Sequence, residues 1–196
     1  MAGIDVNTGH WVRPMPPDGG GIPHQHVVFR GHVLAPLDII ELNISQPHLT
    51  TRYQRENCVM PAYDWRIIER TTPDQILRYC DATVPILHTT GDRVAPALLD
   101  GLSSTQWKSL QLVHANNVEF CRDSREMSRW RATFTDTAGN RYALKVTDSS
   151  ICDRLLRGET INQECLLTVS LTEPWAGSTN SAMCYKLIAA VIEISN

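Results

Sequence analysis

No stretch of the chain carries the roughly 20 consecutive apolar residues that a bilayer-spanning helix needs. The opening MAGIDVNTGHWVRP has no basic segment followed by an apolar one, so neither a membrane span nor an export signal is expected. Cys-x-x-Cys is absent as well. The six cysteines, Cys58, Cys80, Cys121, Cys152, Cys165 and Cys184, lie 22, 41, 31, 13 and 19 positions apart, which makes no zinc or redox motif. Reduced thiols and a cytoplasmic setting are the expectations that follow. Lysine is scarce: only Lys108, Lys145 and Lys186 among 18 cationic residues. Positive charge is therefore carried by arginine, which suits planar contact with phosphate and stacking on rings, although genome composition produces the same bias. With a net charge of −3 the protein is not a polycation, and any affinity for nucleic acid has to be local.

Catalytic signatures are missing too. There is no Gly-x-Ser-x-Gly elbow, no His-Glu-x-x-His helix and no kinase loop. Gly19-Gly20-Gly21 lacks the lysine and Ser/Thr of a phosphate loop. His24 and His26 stand at i, i+2 without nearby Asp, Glu or Cys to complete a tetrahedral set. No catalytic residue, metal or cofactor is expected, and a Cys–His pair assembled only by the fold is the one enzymatic reading left open.

What is present is core material: 196 residues, 42% hydrophobic, enough for one large domain or two small ones. The last 90 residues alternate with period two. Residues 110–120 read as a first strand kinked at His114 to Asn117; RWRATF and RYALKVT flank the hairpin turn 136–140; ICDRLLRG forms a short helix capped by Asp148, Ser149 or Ser150 and stopped by Gly158. LLTVSL and YKLIAAVIEI add two strands joined by the loop 172–183. Strand, strand, strand, helix, strand, strand is the order of a five-stranded OB barrel, with a two-sheet sandwich as the alternative because order does not fix pairing. In the first half HWVRP, VVFRGHVL and LDIIELNI read as strands, and Thr72-Pro73-Asp74 opens a capped helical turn. The expected division is an N-terminal domain 1–88, a connection 89–107 and a C-terminal domain 108–196.

GHWVRPM with its glycine-rich turn, LDIIELNI, YQRENCVM, DRV leading into SLQLVHANNVEF, and SLTEPW followed by CYKLIAAVIEI resemble the bacterial dual OB-domain family over nearly the whole chain. The resemblance implies a mainly β protein with two tandem OB-like barrels, each with a short helix, and a nucleic-acid or nucleotide-binding module of prokaryotic genomes, including defence neighbourhoods. It brings no catalytic residue. In the family pattern a Cys-x-Ala-Asn-Ser strand and an Arg-Cys segment precede the position of Ala2-Gly3-Ile4, which leaves two readings open, a shortened member or a truncated start, and with them whether the first barrel is complete.

OB barrels bind across strands two and three and between the one-to-two and four-to-five loops. The polar side of that ribbon carries Arg129, Arg131, Arg141 and Lys145, and the loop CRDSREM adds Arg122 and Arg125. Against Asp123, Glu126 and Asp136 this makes a local charge of +3, the island a phosphate-tracking groove needs. Trp175, in the four-to-five loop, is a candidate base-stacking ring, with a plug on the barrel mouth as its bland alternative. Lys186 is a candidate for the same basic side, and Arg13, sharing a strand face with Trp11, for a second contact. The expected function is a non-catalytic module for single-stranded nucleic acid or a nucleotide. The alternative is a protein-interaction or sensor subunit docking a partner enzyme, and no membrane partner is expected.

Overall fold

The computed structural model describes residues 1–19, 21–29, 31–45, 52–124, 126–176 and 181–194. Its contacts divide into two compact units, Met1–Gln75 and Ile76–Asn196. Among these residues no helix is long and apolar enough to cross a membrane.

The strands of the first unit are β1 (Gly3–Ile4), β2 (Trp11–Met15), β3 (Val28–Phe29), β4 (His32–Val33), β5 (Asp38–Leu42), β6 (Asn57–Val59) and β7 (Trp65–Arg70). β2 pairs antiparallel with β1 and parallel with β6, and β5 pairs antiparallel with β7. The stretch read from sequence as one strand, VVFRGHVL, is a hairpin of β3 and β4, because Gly31 takes φ +84°, a turn conformation open to glycine. Tyr53, Cys58, Met60 and Trp65 are buried here. Asp38 ties β4 to β7 by facing His32 at 2.8 Å and Arg70 at 2.7 Å while accepting from the Ala35 amide. Burial opposes its charge, but these donors outweigh it and hold the carboxyl below its ordinary range. At the division between units, α1 (Pro73–Ile76) starts with proline, and Thr72 and Gln75 exchange backbone-to-side-chain hydrogen bonds as a reciprocal cap.

The second unit contains β8 (Arg93–Val94), α2 (Pro96–Asp100), β9 (Leu110–Ala115), β10 (Glu119–Arg122), β11 (Trp130–Thr135), β12 (Arg141–Val146), α3 (Ser149–Leu156), β13 (Cys165–Leu171) and β14 (Cys184–Glu193). The ladder runs β10–β11–β12–β14–β13–β9, with β12 and β14 parallel and every other pair antiparallel. β9 and β10, at the two ends of this path, follow one another in the chain across a bend where Asn117 takes φ +56°. That pairing, with α3 between the third and fourth strands, is the OB arrangement and not a sandwich. Asp148 caps α3 by accepting from the Ile151 amide at 3.2 Å, and its other oxygen accepts from Val191 at 3.0 Å, which pins the helix start to β14. Ala132, Phe134, Leu144, Val146, Leu166, Val169 and Ile188 fill the core.

Residues 89–107, read from sequence as a connection, pack onto this second unit, as does the segment before them. Gln111, 1% exposed, accepts from Leu87 N and donates to the carbonyls of Asp81 and Thr83. Tyr142 accepts from Ile86 N at 3.0 Å and donates to Asp136 at 3.1 Å, and β8 pairs with β14. Buried polar groups demand partners, and here residues 81–94 supply them. The contact division accordingly falls at Gln75/Ile76, ahead of residue 88.

Candidate functional site

The register of β11 and β12 pairs Arg131 with Lys145, Thr133 with Ala143, and Thr135 with Arg141. Side chains alternate along a strand, so these six share the outer face while Ala132, Phe134, Tyr142 and Leu144 point inward and are buried. β10 places Cys121 opposite Arg131 and Glu119 opposite Thr133 on the same face.

The candidate cations meet different fates. Arg131 is held at the centre: its guanidinium faces Asp123 at 3.1 Å and Asp92 at 3.6 Å and donates to the Ala143 carbonyl. Arg129 pairs with Glu126 at 2.6 Å. Arg141 and Lys145 have no hydrogen-bonded or ion-paired partner among the described residues, and Arg141 is exposed. Arg122 has the opposite parity. Its register partner is Trp130, and its guanidinium carbon stands 4.0 Å from that ring's centroid, so it stacks within the barrel wall and not on the outer face. Arg125 lies outside the described residues. In the first unit Arg13 is paired with Glu56 at 2.9 Å, and its side chain is 16% exposed.

Lys186 corrects the sequence reading most sharply. It is 2% exposed, has the parity of the buried Ile188, and donates from Nζ to the Thr89 carbonyl, 5.3 Å from the centroid of the Tyr142 ring. Burial lowers its pKa to about 8, with Asp92 opposing. The residue on the outer side is its neighbour, Tyr185.

Tyr185 leads to the aromatic end of the site. Trp175 is 63% exposed, not folded in as a plug, and meets Tyr185 edge-on at 5.9 Å between centroids. Its backbone exchanges hydrogen bonds with Met183 at 3.0 and 3.1 Å, so the strands' pairing extends into the loop and sets the ring's direction. Arg93, from β8, lies 5.6 Å from the Tyr185 centroid and hydrogen-bonds Asp92 at 3.0 Å. A continuous row results: Trp175, Tyr185, Arg93, Asp92, Arg131, Asp123. Nothing local in the sequence marks Asp92 and Arg93 as part of it, because β8 pairs with β14 across 90 to 92 positions of chain.

Among the described residues five cations on or beside this face, Arg93, Arg129, Arg131, Arg141 and Lys145, stand against four carboxylates, Asp92, Asp123, Glu119 and Glu126. Set beside the +3 of the linear count, this described set is closer to balance: the fold brings in Asp92 and Glu119 with Arg93 and turns Arg122 away, while Arg125 lies outside the described residues. Burial also pushes the thiols of Cys58, Cys80, Cys152 and Cys184 up and that of Cys165 to about 12, which suits packing and not nucleophilic attack.

By fold this second unit is an OB-type domain, a class that commonly engages nucleic acids or proteins. The chain matches the model of the dual OB-containing domain over residues 1–191, and it belongs to that family. No curated protein and no solved structure matches it.

Proposed function

We propose that the second unit binds single-stranded nucleic acid, without catalysis, along the row from Trp175 to Arg131. The observation that carries this is an exposed indole, directionally fixed by main-chain pairing, beside a second ring and an arginine. Stacking a base on such a ring contributes about 1 to 3 kcal/mol and is indifferent to sequence. Phosphate contacts fall to Arg141 and Lys145, with Arg93 at the margin. Two or three such contacts give a salt slope of about −1.4 to −2.1 in log K against log salt. Fluorescence anisotropy of a labelled oligothymidylate of about twelve nucleotides, across a salt series, tests this. Binding with that shallow slope supports the reading, and no binding at low salt refutes it.

The ion pairing of Arg129 and Arg131 favours one second reading, a protein partner docked on the same face. A mixed row of cations, carboxylates and rings also suits a polar protein interface. Capture of a stable protein partner that survives high salt, together with failure to bind oligonucleotide, supports that reading instead.

A further inference from the structure

We propose that Arg93 and Arg131 form a subsite for one phosphate group, and that Asp92 occupies it as an internal anion. The inference rests on the nucleic-acid reading only for the polymer to which that phosphate belongs. The two oxygens of Asp92 reach different guanidinium groups: Oδ1 meets Arg93 Nε at 3.0 Å, and Oδ2 meets Arg131 Nη2 at 3.6 Å. A carboxylate spanning two guanidinium groups is the arrangement a phosphate monoanion takes between two arginines. Each arginine has a further contact besides Asp92. Arg131 is fixed by Asp123 at 3.1 Å and by the Ala143 carbonyl, and Arg93 lies against the Tyr185 ring at 5.6 Å.

Asp92 itself is set by the backbone, since its carbonyl accepts from the Lys186 amide at 2.8 Å. The side chains of all three remain accessible, at 37% for Asp92, 46% for Arg93 and 27% for Arg131. A diffusing anion can therefore enter as the carboxylate swings out. The neighbouring Tyr185 and Trp175 rings lie beside this point, so a phosphate held there places the attached nucleoside within reach of a stacking surface. Asp92 in this position sets a threshold: weakly charged anions do not displace it, and a phosphate with a stacked base does.

The test is Asp92→Asn in the full chain, which keeps the side chain's size and removes its charge. Inorganic phosphate is titrated into both proteins while the arginine Nε–Hε resonances are followed by NMR. Removing a unit charge about 4 Å from the bound anion strengthens phosphate binding about fivefold at high dielectric. The expected result is a shift of the Arg93 and Arg131 resonances in the variant at about one-fifth of the wild-type midpoint concentration, lost in Asp92→Asn/Arg93→Gln. Equal midpoints, or no shift of either resonance in the variant, overturn the proposal. Oligothymidylate titrations run alongside separate the two readings. Phosphate binding gained without any oligonucleotide binding leaves the subsite standing and removes the nucleic-acid function. Oligonucleotide binding unchanged by Asp92→Asn, with no phosphate shift, does the reverse.

Discussion

Replacing Lys186 by methionine removes a buried cation whose charge the barrel barely tolerates, and the result depends on pH in a direction the structure dictates. Lys186 is 2% exposed, and burial lowers its pKa to about 8 from an ordinary 10.5. A shift of that size corresponds to about 3 kcal/mol between the charged and neutral forms. Below pH 8 both folded and unfolded chains carry the proton, and the folded state bears the full cost. Between about 8 and 10.5 the folded state has lost the proton and the unfolded state has not, so stability rises with pH across that window. Tyr142 and Cys165 act in the opposite sense, because burial pushes each to about 12 and the folded state keeps their protons longer. Subtracting the pH profile of Lys186→Met from that of wild type cancels those contributions. Urea unfolding at half-unit steps from pH 7 to 10.5 is the assay. The wild type gains about 3 kcal/mol relative to the variant over this range. At pH 7 the variant is destabilised only modestly or not at all, since the lost hydrogen bond to Thr89 is offset by the removed desolvation cost. A difference that stays flat with pH refutes the placement of Lys186 in the interior. Oligonucleotide affinity unchanged in Lys186→Met is the accompanying expectation, since the side chain is not on the outer face.

Three further outcomes follow from the geometry. Gln111→Leu leaves Leu87 N and the carbonyls of Asp81 and Thr83 without their amide partner, costs about 2 to 4 kcal/mol in urea unfolding, and raises amide exchange in residues 81–87 ahead of the barrel strands. Asp148→Ala removes the α3 cap and the bond to Val191 together, with an expected loss of about 1 to 2 kcal/mol; a loss under about 0.3 kcal/mol contradicts that double role. Trp175→Ala, at a site 63% exposed, leaves the unfolding midpoint near wild type while weakening oligothymidylate binding about tenfold by anisotropy; equal affinity contradicts the stacking role.

The OB arrangement was legible because β11 and β12 are half-buried strands: Trp130, Ala132 and Phe134 alternate with Arg129, Arg131 and Thr133, and the period itself shows which side is buried. β14 offered no such contrast. Its apolar run is nearly continuous, so nothing local says which of Tyr185 and Lys186 faces in, and the register shift opposite Thr168 and Val169 breaks any parity counted from the strand's far end. Polarity misled at Lys186, and Gln111 is buried for the same reason. Both sit where ordinary patterning puts polar residues outside, and both are buried because residues 81–94 supply carbonyl and amide partners from distant sequence. The row at the candidate site was half visible. Trp175 and Arg131 stand on elements with a clear period or turn signature, whereas Arg93 and the preceding Asp92 enter with β8, only two residues long. Charge counted along the chain cannot know that Arg122 turns to Trp130 or that a carboxylate arrives from position 92.

Photocrosslinking puts the nucleic-acid face to the most direct trial. A thiothymidine-substituted oligonucleotide is irradiated with the full-length protein at low salt, and the adducts are located by peptide mass spectrometry. Crosslinks centred on Trp175 and Tyr185, competed away by unlabelled single strands, are the predicted result. Crosslinks confined to Met1–Gln75, or none at all, contradict it.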